Sequence, residues 1–275
     1  MKQLLTRTIF GAIYVLAIVC GILCGKYAVM VLMILLCILA IDEFLTLTTG
    51  EESQSSTAVV LRLLDCIGGC SVVVGIWAHL FLPAFLLFGV YLLLRMIAQL
   101  YITGTNPIRS VALSMMSQLY ITMPMAAMAV MANFSKWFLL SMFVLVWVND
   151  TFAYLTGSML GRHKLWERIS PKKSWEGFIG GAVFCIAAAA LIGYYAPTNM
   201  IPFDAREMAG AGLIVALAGT LGDLFESLIK RTIGVKDSGS LIPGHGGILD
   251  RIDSILFVIP STLFYMFLLM YYVFI

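Results

Sequence analysis

Charge is scarce in this chain. Only 12% of its 275 residues are Asp, Glu, Lys or Arg, against about 25% in soluble globular domains, so a water-solvated surface over a small core is excluded. Neither sign dominates: 17 Lys and Arg against 15 Asp and Glu leave a net charge of +2. That excess is too small for the basic footprint of a nucleic-acid binder, and no nucleic-acid partner is expected. Histidine occurs three times, no convincing Ser–His pair for nucleophilic catalysis stands out, and no internal repeat is visible. What fills the sequence is apolar: 61% of the residues are AVILMFWYC, with a mean hydropathy of +0.99. A helix crossing about 30 Å of hydrocarbon needs about 20 such residues, and the chain supplies them from end to end.

Apolar windows predict an all-α, polytopic integral membrane protein with about nine transmembrane helices. They lie near 8–24, 27–48, 59–78, 81–101, 110–131, 136–157, 175–196, 209–230 and 252–274. The expected organisation is a single membrane domain over 1–275, with N-terminal hydrophobic helices over 1–131 and the helices and loops carrying the active site over 136–275. The start, Met1-Lys2-Gln3 through Arg7 and an apolar run, resembles a signal peptide but has no small-x-small cleavage site before the next span, and is read as a retained first helix. All six cysteines lie in or beside apolar runs and are read as packing residues. Gly21 with Gly25, Gly157 with Gly161 and Gly177 with Gly181 form G-x-x-x-G pairs, which point to close helix packing or a dimer.

The basic residues orient the helices. With a cytoplasmic N-terminus, 14 of the 17 Lys and Arg fall inside or at inside helix ends, and only Lys26, Lys136 and Arg206 outside. Asp42, Glu43, Asp150, Asp223, Glu226, Asp250 and Asp253 then all sit in the cytoplasmic halves of their spans. A charge at mid-bilayer costs at least about 2.5 kcal/mol unless paired or solvated, so a polar cavity open to the cytoplasm is expected. Asp42-Glu43 contributes either to that cavity or to a snorkelling helix end, and Arg95 with Gln99, at i, i+4, is similarly open.

One region carries chemistry. Asp223, Glu226, Ser227 and Lys230 fall at i, i+3, i+4 and i+7, a polar stripe on an apolar helix. The following loop holds Lys236-Asp237 and Pro243-Gly244-His245-Gly246-Gly247, where glycines let backbone N–H groups approach an anion. The next span opens Asp250-Arg251-Ile252-Asp253. Carboxylates suggest Mg²⁺, a hard ion that takes oxygen ligands, and Lys and Arg suggest phosphate. Together they fit metal-assisted phosphoryl or nucleotidyl transfer.

The run SLIKRTIGVKDSGSLIPGHGGILDRID, Ser227 to Asp253, resembles the signature of the phosphatidate cytidylyltransferase (CDP-diacylglycerol synthase) family with no departure at its fixed positions. A second stretch is similar to the same family: Val148-Asn149-Asp150 through Gly157, Gly161-Arg162, and Ser170-Pro171-Lys172-Lys173-Ser174-Trp175-Glu176-Gly177. The likeness runs from about 147 to 257, whereas the first 130 residues match only as hydrophobic spans. The resemblance implies a polytopic α-helical homodimer in the cell inner (cytoplasmic) membrane, with its N-terminus and active site cytoplasmic. It implies a polar cavity that holds Mg²⁺ and commonly a second cation, and it maps the metal-binding acids onto Asp223 and Asp250, with Asp150, Glu226 and Asp253 as second-rank candidates.

The implied reaction joins CTP to phosphatidic acid, giving CDP-diacylglycerol and pyrophosphate in phospholipid biosynthesis, with membrane lipids as surroundings. The attacking phosphate is already an anion, so no general base is needed. Cations are needed instead, from Lys172, Lys173, Lys230, Arg231, Lys236 and Arg251. His245 either donates to the leaving pyrophosphate or holds the glycine loop. Ser227 either binds a cation or phosphate or bridges helices, and Gly246 and Gly247 are expected to approach substrate. Lys172-Lys173 are read as binding substrate phosphate rather than anionic headgroups. A CTP-dependent lipid kinase and a transporter of anionic substrates are the alternatives; the polar groups cluster on one side rather than at the midplane, which disfavours transport.

The orientation has a direct check. A cysteine introduced into the 158–174 loop is expected to react with an impermeant reagent only from the cytoplasmic side, and one appended after Ile275 only from outside. The reverse pattern would remove access for CTP and overturn the orientation.

Overall fold

The computed structural model describes residues 2–50, 55–102, 106–239 and 246–274; the side chains of 2–8 and 272–274 lie outside that description. Its elements are α1 (Lys2–Leu23), α2 (Lys26–Thr49), α3 (Ser56–Trp77), α4 (Phe81–Leu100), α5 (Pro107–Ser117), α6 (Met123–Phe134), α7 (Lys136–Leu160), β1 (Lys164–Trp166), β2 (Ser170–Ser174), α8 (Trp175–Tyr195), α9 (Ala205–Ile233) and α10 (Leu249–Phe274). A π-helical turn, Gln118–Thr122, joins α5 to α6. Among the described residues eight helices, counting Pro107–Phe134 as one, are long and apolar enough to cross a membrane, and α1 adds the shorter apolar stretch Ile9–Leu23. The chain is a multi-pass membrane protein of about the expected nine spans.

Helix starts follow local chemistry that the sequence displays. Ser55, Asn106, Ser135 and Ser174 each accept a backbone N–H at the beginning of α3, α5, α7 and α8, and Pro107 fills the first turn of α5. Asp204 and Glu207 close a reciprocal capping box on α9, which ends at Gly234 with φ 83. The segment read as a cytoplasmic loop over 158–174 contains the antiparallel pair β1–β2. Glu176, in the first turn of α8, holds that hairpin: its carboxylate accepts the N–H groups of Arg162 and His163 and pairs with His163 Nδ1 at 2.6 Å.

The chain divides into two compact units. One comprises Met1–Asn133 with Asp237–Arg251, the other Phe134–Lys236 with Ile252–Ile275. In the first, α2 packs against α1, α3 and α5, and α3 against α4. Its polar centre is the ion pair of Asp65 and Arg95, which are 1% and 2% exposed and stand 3.4 Å apart. Tyr91 Oη and Ser114 Oγ each donate to Asp65 at 2.7 Å, while Arg95 donates to Ser114, Gln99 and Ser110. Arg95 and Gln99, ambiguous as sequence, thus belong to a buried hydrogen-bonded network. The π-helical turn serves it too, letting Gln118 Nε2 reach the Asp65 carbonyl at 3.1 Å.

In the second unit α8 packs between α7 and α9, and its glycines set the spacing. A Cβ on Gly177 would lie 2.8 Å from the Ala153 carbonyl oxygen, and one on Gly181 would lie 2.9 Å from both Ala153 Cβ and the Asn149 carbonyl oxygen. The G-x-x-x-G of α8 therefore packs internally, as small residues do in lipid. Gly222 does the same between α9 and α10, where a Cβ would meet the Asp253 carbonyl oxygen at 2.6 Å. Large apolar residues such as Leu82, Phe85, Leu100, Ile179 and Leu191 stay exposed, as expected of a lipid-facing surface.

Gly181→Ala is expected to destabilise the detergent-solubilised protein by about 1–3 kcal/mol, the cost of overpacking, seen as a lower thermal midpoint. Gly89→Ala, where a Cβ meets open space, is expected to leave the midpoint unchanged or raised. Equal effects would show that α7–α8 contact does not depend on Gly181.

Candidate functional site

The polar stripe on α9 forms as its spacing requires. Glu226 and Lys230 are 2% and 8% exposed, and their charged groups meet at 2.5 Å. One turn earlier Asp223 pairs with Lys173 of β2 at 2.6 Å and accepts a weak bond from Ser227 Oγ at 3.4 Å. The hairpin thus aims Lys173 at α9, while its neighbour Lys172 is exposed, as alternation along a strand demands. Asp150 of α7 lies within electrostatic reach of Asp223 and Lys173, and Asp253 of α10 within reach of Asp223, Glu226 and Asp150.

The second unit therefore gathers four carboxylates, Asp150, Asp223, Glu226 and Asp253, around two ammonium groups, Lys173 and Lys230. Beside Asp150, the Asn149 side chain is 3% exposed and, among the described residues, its Oδ1 has no hydrogen-bond partner. Among the described residues no three His, Cys, Asp or Glu side chains converge closely enough to form a metal cluster. The donors that do gather here are all oxygens, the kind a hard divalent cation takes. Asn149 Oδ1 adds an acceptor that the sequence reading did not single out.

The remaining sequence candidates separate. Arg231 is exposed and donates to the Val235 carbonyl at 3.0 Å, closing the end of α9. Lys236 is exposed. His245 falls outside the described residues, as does the rest of 240–245. Arg251 is half-buried, and its carbonyl accepts from Tyr14 Oη at 2.9 Å in the first unit. Asp250 also belongs to the first unit and Asp223 to the second.

Within the first unit Asp250 organises the loop before α10. Its Oδ2 accepts from Ser238 N at 3.0 Å, Ser238 Oγ at 2.9 Å and Gly247 N at 2.9 Å. A second carboxylate holds the same loop from α2: Glu43 accepts from Ser238 Oγ at 2.5 Å, Ile248 N at 2.8 Å and Leu249 N at 3.0 Å. The anion sits on the N–H groups that open α10, where the helix dipole favours negative charge. Gly246, with φ 81, and Gly247 are required here because a Cβ on them would run into the carboxylates of Asp250 and Glu43. The Gly247 N–H, expected to approach substrate, is directed to Asp250. Glu43, which sequence reasoning left undecided between the cavity and a snorkelling helix end, holds this loop. Its signal was a second carboxylate beside Asp42 in an apolar helix, and its partners lie about 200 residues away in sequence.

A sequence model of the cytidylyltransferase family matches residues 5–269. The chain is 53% identical over 125 residues to a phosphatidate cytidylyltransferase of Staphylococcus aureus strain COL, covering 45% of this chain and 46% of that protein. It is 45% identical over 123 residues to the protein of that name from Staphylococcus haemolyticus strain JCSC1435, and 44% over 123 residues to that of Staphylococcus saprophyticus, with the same coverage. The chain spans about half the length of these curated relatives in the match.

Removing Glu43 tests the cradle. Glu43→Ala leaves two backbone N–H groups without their acceptor, a loss of about 1–3 kcal/mol, and amide exchange at Ile248 and Leu249 is expected to rise at least about tenfold. Unchanged exchange at both amides would show that the carboxylate does not hold them.

Proposed function

Because this chain belongs to the cytidylyltransferase family, we propose that it is a phosphatidate cytidylyltransferase, joining CTP to phosphatidic acid to give CDP-diacylglycerol and pyrophosphate. The observation that carries the reading is the cluster on α9 and its neighbours: four carboxylates and two lysines gathered in an apolar helical unit. Packing alone does not call for such a surplus of charge in a membrane helix bundle. Handling of polyphosphate with a divalent cation does.

In this reaction a phosphate oxygen of phosphatidic acid attacks the α-phosphorus of CTP. The new P–O bond forms as the bond from the α-phosphorus to the bridging oxygen breaks, and pyrophosphate leaves with that electron pair. The nucleophile needs no deprotonation at neutral pH, so the task is to bring two polyanions together. Lys172, Lys173, Lys230, Arg231, Lys236 and Arg251 are the proposed cations. Mg²⁺ would supply the charge that neutralises phosphate oxygens; Asp223, with Asp150, Glu226 and Asp253 as further candidates, would hold it in the second unit, and Asp250 is the candidate in the first. Lys173 pairs with Asp223; with Asp223 holding a cation, the Lys173 ammonium would be free for a substrate phosphate. Asp250 carries a second duty, since the same carboxylate fastens Ser238 and Gly247.

The positive-inside pattern supports a cytoplasmic site, where CTP is available, in the inner membrane. The family resemblance supports a homodimer. A CTP-dependent lipid kinase would release CDP instead of pyrophosphate, and a transporter would release neither.

Purified protein given CTP, phosphatidic acid and Mg²⁺ is expected to release pyrophosphate and form CDP-diacylglycerol. Asp223→Asn, which keeps size and loses charge, is expected to lower turnover about 10²-fold or more, the scale of losing one charge-stabilising group. CDP as product would identify a kinase. Near-normal turnover of Asp223→Asn with an unchanged Mg²⁺ requirement would remove Asp223 from the metal site.

A further inference from the structure

The first unit contains a pocket lined by none of the residues assigned to the reaction. It has a volume of about 310 Å³, the scale of small-ligand pockets, which start at about 300 Å³. It lies where α2 and α4 end and α3 and α5 begin, and Thr49, Ser55, Ile102 and Asn106 border it. Because successive spans end and begin there, these four helix ends fall on one side of the membrane. Three arginines line it, Arg62, Arg95 and Arg109, against one carboxylate, Asp65.

These four charges are not equivalent. Arg95 and Asp65 neutralise each other and form the buried network described above, so they make a fixed polar floor. Arg62 donates to Thr46 Oγ1, and its Nε is buried without a hydrogen-bond partner, 3.5 Å from the largely exposed Asp42. Arg109 donates to the Thr48 carbonyl at 3.2 Å, and among the described residues it forms no ion pair. The starts of α3 and α5, capped by Ser55 and Asn106, add the positive ends of two helix dipoles. Leu45, Leu61 and Leu113 supply apolar wall.

A cavity with one guanidinium outside any ion pair among the described residues, a second paired only with a largely exposed carboxylate, two helix N-termini and an apolar side is built for an anion carried on, or near, an apolar body. We propose that this pocket binds a phosphate group, with Arg62 and Arg109 as its ligands. Guanidinium forks match phosphate oxygens. Two sources share that chemistry: the headgroup of an anionic phospholipid at the membrane surface, and free phosphate from solution. The site stands apart from the proposed reaction and does not depend on it.

The experiment uses the full chain in nanodiscs of equal parts phosphatidylcholine and phosphatidylglycerol, which is not the proposed substrate, with lipid retention read by native mass spectrometry. If the source is lipid, wild type retains phosphatidylglycerol over phosphatidylcholine, Arg62→Gln/Arg109→Gln lowers that preference about tenfold, the scale of losing a charge-assisted contact, and Arg62→Lys/Arg109→Lys keeps most of it. If the source is soluble, millimolar inorganic phosphate raises the thermal midpoint of wild type and not of the glutamine variant, and lipid preference is unchanged. A glutamine variant that keeps both the lipid preference and the phosphate response of wild type overturns the proposal. Should the double variant fail to fold, Arg109→Gln alone serves, since Arg109 is exposed, and it must weaken one of the two responses or the proposal fails.

Discussion

Every charge that enters a bilayer must find a counter-charge or a set of hydrogen bonds inside the protein, because the lipid offers neither. That constraint organises the polar groups found here. In the first unit Asp65 is answered by Arg95, Tyr91 and Ser114, and Glu43 by the N–H groups opening α10 and by Ser238. In the second, Asp223 is answered by Lys173 and Glu226 by Lys230. Such pairs add little net stability against an apolar alternative, so their presence points to a requirement other than stability.

The pairs divide by how completely they are satisfied. The Asp65–Arg95 network spreads the guanidinium over Ser114, Gln99 and Ser110 and is saturated, which suits a permanent structural element. The α9 cluster is different: Asp150, Asp223, Glu226 and Asp253 gather around Lys173 and Lys230, and among the described residues Asn149 Oδ1 accepts no hydrogen bond. Asn149 Oδ1 is the polar atom of this neighbourhood that the fold leaves open. The contrast separates a scaffold from a site within one chain, using satisfaction of buried groups as the criterion.

Glycine makes both arrangements possible. Gly177 and Gly181 bring α7 and α8 into backbone contact, and Gly222 brings α9 against Asp253 of α10, so carboxylates on different helices share one neighbourhood. Gly246 and Gly247 do the same for a loop, leaving room for two carboxylates where any side chain would collide with them. Small residues here set the distances over which charges act.

Much of this was legible without coordinates. Hydropathy gave the spans, since crossing lipid demands a run of apolar residues whatever the neighbours. The polar stripe of Asp223, Glu226, Ser227 and Lys230 followed from helical period alone. What sequence could not decide was partnership. Whether Lys172 or Lys173 meets Asp223 depended on a hairpin whose strands carry no apolar alternation. Whether Arg95 and Gln99 were functional or structural depended on Asp65, Tyr91 and Ser114 from three other segments. Glu43 found its donors some 200 residues away. Period and propensity act over a few residues and are written in the chain, whereas the pairing of buried charges is a property of the packed helices and exists only once they are assembled.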